Sequence, residues 1–322
     1  MNSTAYCDTS DKDSHVFSIF LRNARQHHDL SQEQFCLYLR EQSSLFYNLD
    51  TITVSRWERE INIPSLAKQA EIVELFGEEL FDLYGNDQQF ITESLNLIDY
   101  PADLKANRSA HPYYCDQEYS VEQISVDHHN YRFFMNMILQ YEGNPCIEDC
   151  LDNIGADLSQ PLRIQVAYAS GKQVVGHCLY TYTSSHELLK LLNCESGLQQ
   201  VLRTRSKDAD DCMLILSSFG ASTQIENTMM SVCLNKFAFS KKLKYLCFSL
   251  RNDRLIKKLT IVKLTLFKKR SCPSYDAHVT ISSFLISRSE VMANRFLLKL
   301  AVISSSRLKT LLKTIANREQ SL

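Results

Sequence analysis

The sequence predicts a multidomain α + α/β chain: an all-α N-terminal domain, then a mixed α/β domain, then a helical C-terminal tail. Three observations carry that reading. Apolar residues from Val16 to about Tyr84 recur at helical spacing, with no strand-like alternation. From Arg163 to about Lys269, strand-like and helical segments take turns, as a mixed sheet requires. From Val279 onward the apolar residues read as helical again. At 322 residues there is room for two domains, each with its own core. The expected division is a disordered leader (1–15), a helical domain (16–84), a linker (85–127), an α/β domain (128–270) and a helical extension (271–322).

Eleven cysteines are spread from Cys7 to Cys272 with no CxxC pair, which fits reduced thiols in a cytoplasmic protein. Residues 1–14 are polar, so no signal peptide is expected, and no run approaches the ~18 apolar residues of a membrane span. The net charge of −2 hides an asymmetry. Residues 236–322 hold 19 Lys/Arg against four Asp/Glu, while residues 1–235 hold 16 against 33. Such a split suits either a polyanionic partner for the basic end or docking of the two halves on each other.

Within the N-terminal domain, Phe17, Phe20, Leu21 and Ala24 form the apolar face of a first helix. Ser31 with Gln34 is a capping box opening a second, which buries Phe35, Cys36 and Leu39. Asp50 is the N-cap of a third helix carrying Val54 and Trp57, the only tryptophan. Pro64-Ser65 opens a fourth, with Gly77 near its end.

Leu30-Ser31-Gln32-Glu33-Gln34-Phe35, then Thr53-Val54-Ser55-Arg56-Trp57-Glu58-Arg59, then Pro64-Ser65, resembles the lambda-repressor/Cro-like (xenobiotic-response-element) family of helix-turn-helix regulators. The resemblance covers residues 16–77 and implies double-stranded DNA as partner, read by a homodimer on two half-sites. It places Gln32, Thr51, Ile52, Thr53, Ser55, Arg56 and Arg59 at the DNA, and makes Arg25 and Glu58 an internal ion pair. Arg56 suits a bidentate contact to guanine, and Ile52 a thymine methyl. Gln32 stands at a helix start, where a phosphate is favoured. Three features depart from the pattern. Arg40–Leu49 replace a short turn, so either the second helix runs longer or a loop intervenes. Glu60 replaces the family's glycine after the third helix. The domain also carries six Lys/Arg against eleven Asp/Glu.

After a linker that is either transiently helical or packed on the next domain, His128–Tyr141 reads as an amphipathic helix. Arg163–Ala169 and Gln173–Thr183 read as a hairpin around Ser170-Gly171-Lys172. Met213–Phe219 and Lys244–Leu250 read as strands, each followed by a helix, and Lys263–Lys269 as a last strand. Residues 163–270 in this order resemble the GNAT acetyltransferase fold. That resemblance puts the cofactor's pyrophosphate at Gly220-Ala221-Ser222-Thr223-Gln224-Ile225-Glu226, which has one glycine, no arginine and an acid. The expectation is therefore a non-catalytic module for sensing or interaction, with no catalytic residue, cofactor or metal. It would accept a small-molecule or protein effector. Two alternatives stay open: a GNAT-type acyltransferase targeted by the helix-turn-helix, and an antitoxin-like interaction protein.

Weaker signals are read structurally. His128-His129 with Cys115, Cys146 or Cys150 lack zinc-ligand spacing. His177 could act as a general base but reads first as a packed strand histidine. The stripe Leu308, Leu311, Leu312, Ile315 reads as core packing before it reads as a dimer seam. Lys257-Lys258 and Lys268-Lys269-Arg270 read as a solvated face.

Overall fold

A computed structural model describes residues 14–99, 119–142, 147, 162–169, 173–203, 210–251, 253–273 and 278–319. The leader up to residue 13, most of the linker, Gly143-Asn144-Pro145, the Ser170-Gly171-Lys172 turn, and Cys115, Cys146 and Cys150 lie outside that set.

The N-terminal part is helical: α1 (Ser14–His27), α2 (Gln32–Gln42), a 3-10 turn (Ser44–Phe46), α3 (Thr51–Glu58), α4 (Leu66–Leu75), α5 (Leu80–Gly85) and α6 (Gln88–Asp99). The Ser31 capping box forms on both sides, with Gln34 N–H bonded to Ser31 Oγ and Ser31 N–H to Gln34 Oε1. Asp50 Oδ1 accepts the Thr53 N–H at 2.6 Å and starts α3. The long connection resolves both ways at once: α2 runs to Gln42, and a 3-10 turn then buries Phe46. Phe17, Leu21, Phe35, Leu39, Val54 and Trp57 share one core. Glu60, in the position where the family has glycine, does adopt a left-handed backbone (φ 62°). That conformation costs a side-chain-bearing residue ~1–2 kcal/mol. The carboxylate is held there by accepting hydrogen bonds from Ser18 Oγ (2.7 Å) and His15 Nδ1 (2.9 Å), which push its pKa below the ordinary range.

The remainder is built on one seven-stranded sheet, in the order β1-β2-β3-β4-β5-β7-β6. The strands are β1 (Tyr119–Ile124), β2 (Arg163–Ala169), β3 (Val174–Thr183), β4 (Cys212–Gly220), β5 (Tyr245–Leu250), β6 (Lys268–Pro273) and β7 (His278–Ser287). Every neighbouring pair is antiparallel except β4–β5. The helices are α7 (Tyr131–Glu142), α8 (Ser185–Leu192), α9 (Leu198–Arg203), α10 (Thr223–Phe239), α11 (Asp253–Ile261), α12 (Arg288–Ala293), α13 (Arg295–Ala301) and α14 (Ser305–Glu319). Two cores flank the sheet. Met229, Cys233 and Phe237 of α10 meet Cys178, Tyr180 and Ile215 on one face. Phe134, Ile138 and Leu188 cover Ile164, Leu179 and Leu214 on the other.

Two expected segments are corrected. The strand expected at Lys263–Lys269 begins only at Lys268: Lys263 has φ 65° and closes α11, with Leu264 N–H bonded to Leu259 O. The last strands are β6 and β7. His278–Ser287, read from Val279 as the start of a helical tail, is an interior strand held between β5 and β6. An interior strand buried on both faces loses the apolar–polar alternation that marks half-exposed ones, and the Ser282-Ser283 pair blurs it further. Helices resume at Arg288.

The region expected as a linker contains α6 and β1, and α6 packs on the C-terminal part: Asn227 Nδ2 donates to Leu97 O at 2.7 Å. Part of the charge split meets across this contact. Arg288 pairs with Glu79, Lys299 (2.8 Å) and Arg295 (3.5 Å) meet Glu93, and Lys241 lies 3.9 Å from Asp82. Among the described residues no helix is long and apolar enough to cross a membrane.

Candidate functional site

The first feature is a split in the sheet. β4 and β5 are paired only over Cys212–Ile215 and Tyr245–Phe248, although β4 runs on to Gly220 and β5 to Leu250. Across β4, Leu179 faces Ser217 while Tyr180 faces Ile215, so Leu216 is an extra, bulged residue. A bulge bends its strand, and this one falls where the parallel ladder stops. The second half of β4 is therefore free to diverge from β5. In sheets with parallel strands, ligands bind beyond the carboxyl ends of those strands. Here α10 and α11 begin at that end, after β4 and β5 respectively.

The junction is tight because Gly220 lacks a side chain: a Cβ there would lie 2.3 Å from Glu226 N. A Cβ on Gly176, its partner across the ladder, would lie 2.6 Å from Ile225 Cγ2. The first turn of α10 is thus pressed onto the strand ends. Ser222 caps it through the Ile225 N–H at 3.2 Å. Glu226 is 1% exposed, and its Oε1 has no hydrogen-bond partner among the described residues. Its other oxygen is answered from α11 by Lys258 Nζ at 3.1 Å and by Arg254 Nε at 3.9 Å. Burial holds the Lys258 ammonium below its ordinary pKa, with Glu226 opposing that effect. Arg254 Nη2 also donates to Thr223 Oγ1 at 2.8 Å, on the first residue of α10. Two cations thus face one carboxylate at this helix start. The arginine missing from the Gly220–Glu226 segment is brought in by α11, 31 residues away.

Just past the bulge, His177 Nε2 lies 2.7 Å from Ser217 Oγ. The imidazole is 3% exposed, and burial lowers its pKa to about 4, so it is neutral near pH 7. Phe219 stacks on it at 6.1 Å.

No family model matches the chain, and no curated protein does. Solved structures similar to it include an agmatine N-acetyltransferase (10% identity, TM-score 0.35) and a Drosophila melanogaster polyamine N-acetyltransferase (11%, 0.35). Each is spanned over 99% of its length by 52% of this chain. A Vibrio cholerae spermidine/spermine N-acetyltransferase follows at 8% and 0.33, over 53% of this chain and 95% of its own. At these identities and TM-scores the likeness supports no conclusion about activity or substrate. Against the expectation that the chain is not an enzyme, the solved structures it is similar to are N-acetyltransferases. The cation whose absence motivated that expectation is present as Arg254.

The residues at the split fit a diphosphate group. A 17-residue helix points its start at the split, Arg254 stands at that start, and Lys258 neutralises Glu226.

The second feature is the α2–α3 surface. Arg25 and Glu58 are paired, Nε to Oε1 at 2.6 Å and Nη2 to Oε2 at 3.3 Å. Arg25 Nη1 also donates to Leu30 O at 2.8 Å, tying α1 to the entrance of α2. Gln32 Nε2 donates to Glu58 Oε2 at 2.6 Å, so its amide nitrogen is used internally. Along α3, Ile52 (60% exposed), Arg56 and Arg59 face outward, with Thr51, Thr53 and Ser55 half-buried. Arg59 Nε bonds back to Ser55 O at 3.2 Å, which splays its guanidinium along the helix end. Val54 and Trp57 face the core.

The other candidates do not converge. His128 and His129 stack at 4.3 Å, with Glu122 3.9 Å from His128 Nε2. Among the described residues no group of three potential metal ligands gathers. Lys257 and Lys258 separate: Lys258 turns inward, and Lys257 lies on the other side of the helix.

Proposed function

We propose that the chain is a GNAT-type acyltransferase addressed to duplex DNA by its N-terminal helices. The observation that carries the catalytic half is the β4–β5 split ending on a cation-bearing helix start. The first-turn N–H groups of α10 and the Arg254 guanidinium would hold the diphosphate of an acyl-CoA. When bound, that group supplies the acyl thioester. His177 is neutral beside the bulge and its Nε2 is taken up by Ser217 Oγ, so it could serve as a base only through that hydroxyl. An acceptor's nucleophile would lose its proton to Ser217 Oγ as that hydroxyl gives its own proton to His177 Nε2.

Isothermal titration of the full chain with acetyl-CoA tests this half. Saturable binding is expected, weakened about tenfold in Arg254→Ala by loss of a charged hydrogen-bond donor. No binding up to millimolar acetyl-CoA would remove the catalytic reading.

The DNA half rests on α3, whose outward residues Ile52, Arg56 and Arg59 are uncovered while Trp57 anchors its inner side. This arrangement suits a recognition helix in a major groove, with Thr51, Thr53 and Ser55 as the shorter contacts. Gln32 would act through its remaining amide oxygen and through Glu58. A homodimer would place two such helices on a two-half-site operator. Genome-wide mapping of bound DNA, followed by gel shift, is expected to yield a preferred site. Arg56→Ala should weaken that site by roughly 1–3 kcal/mol. Equal affinity of wild type and variant for every sequence would set the DNA reading aside without touching acetyl-CoA binding.

A further inference from the structure

Away from the split, a cavity of about 690 Å³ opens between the β1–β2 edge of the sheet, α10 and α14. That volume is in the usual range for small-molecule sites, ~300–1,000 Å³. Its chemistry is sorted by position. Val121, Val232, Leu308 and Leu312 supply an apolar wall, and Leu308 packs on Ile98 of α6. Beside them stand Gln123, Gln165 and Lys236, with Lys309 exposed at the rim. No carboxylate is among the described residues that line it.

The lysine is the unusual element. Three other partly buried lysines face a carboxylate, Lys190 with Glu187, Lys258 with Glu226 and Lys299 with Glu93, while Lys268 donates to the Asn193 amide oxygen at 3.3 Å. Lys236 has the Gln123 amide oxygen, at 2.9 Å. Gln165 Nε2 donates to that same oxygen at 3.1 Å, so the amide is oriented by two donors. A second cation lies close behind: the Arg163 guanidinium rests 4.6 Å over the Tyr182 ring, and its Nη1 is buried with no hydrogen-bond partner among the described residues. Burial first, and Arg163 in addition, push the Lys236 ammonium below its ordinary pKa. A half-desolvated ammonium beside a guanidinium is costly unless an anion offsets it. Among the described residues no carboxylate is bonded to Lys236.

We infer that this cavity binds an organic anion with an apolar body, of the class of a medium-chain acyl or aryl carboxylate, with the carboxylate on Lys236 and the body against Val232, Leu308 and Leu312. The site is separate from the β4–β5 split and does not rest on the acyltransferase reading. Because Leu308 touches Ile98, the occupied cavity would press on α6, the helix that joins the N-terminal helices to α10.

Titration calorimetry on the full chain, with octanoate and the neutral octanamide as probes, tests it. Saturable octanoate binding is expected, with octanamide at least about tenfold weaker. Lys236→Met should bring the two probes to parity, and Val232→Trp should weaken both by filling the apolar wall. Far-UV circular dichroism and thermal melts confirm folding, with Lys236→Gln substituting if the methionine variant is unstable. The inference is overturned by absent octanoate binding, by equal affinity for the two probes in the wild type, or by octanoate affinity unchanged in the lysine variant. Acetyl-CoA titration of the same variants should be unaffected.

Discussion

Glu58→Ala is expected to destabilise the N-terminal helices by roughly 3–5 kcal/mol, the cost of leaving a buried ion pair half empty. Glu58 is 5% exposed, and Arg25 keeps only 17% of its side chain in water. The carboxylate accepts from Arg25 twice and from Gln32 once, so its loss strands a guanidinium and an amide together. Since domains of this size are stable by about 5–15 kcal/mol, the change consumes a large share of the total. Trp57 makes the measurement local: it is the only tryptophan and sits one residue before Glu58, 5% exposed. Its fluorescence through a urea titration reports the N-terminal helices without the sheet. Glu58→Gln, which keeps the acceptor oxygen and drops the charge, should fall between. A shift below about 1 kcal/mol in the alanine variant would mean that water replaces the lost partner.

The N-terminal helices were legible because their signals are local. A capping box, an aspartate N-cap and apolar positions at helical spacing each lie within one or two turns, and each forms where it is expected. The left-handed backbone at Glu60 could be anticipated only from the family's glycine at that place. What pins it, the contacts from Ser18 and His15, spans more than forty residues. The docking of the halves was half legible. Opposite net charges along the chain allowed it, but the pairing of Glu93 with Lys299 across 206 residues is a fact of tertiary structure.

The sheet was harder to read for a related reason. Strands β2, β3, β4 and β5 are marked by apolar runs and were placed within a residue or two. β7 was missed because it lies inside the sheet, where burial on both faces erases alternation. The site suffered most. Judging the Gly220–Glu226 segment by its own residues gave an acid without an arginine, hence a dead site. Arg254 and Lys258 reverse that judgement from the following helix, which no spacing rule would bring to the start of α10. His177 was seen, and its strand position was right. Its hydrogen bond to Ser217 depends on the β4 bulge, which the sequence does not announce.

That buried histidine should make the fold acid-sensitive in a defined window. Burial lowers the His177 pKa from the usual 6.5 to about 4, so the folded state refuses a proton that the unfolded chain accepts. Between those values the unfolded chain binds more protons, and stability must fall as pH drops. Above about pH 7 both states are neutral and the histidine contributes no slope. The full difference, reached near pH 4, corresponds to roughly 3 kcal/mol. Carboxylates such as Glu60, Glu93 and Glu187, whose pKa values are lowered in the fold, add their own acid sensitivity at lower pH. The comparison is therefore with His177→Gln, which retains an acceptor for Ser217 but cannot titrate. Urea unfolding followed by far-UV circular dichroism should show the wild type losing roughly 3 kcal/mol more than the variant between about pH 7 and pH 4. Parallel losses would mean that the imidazole is reached by water or already charged.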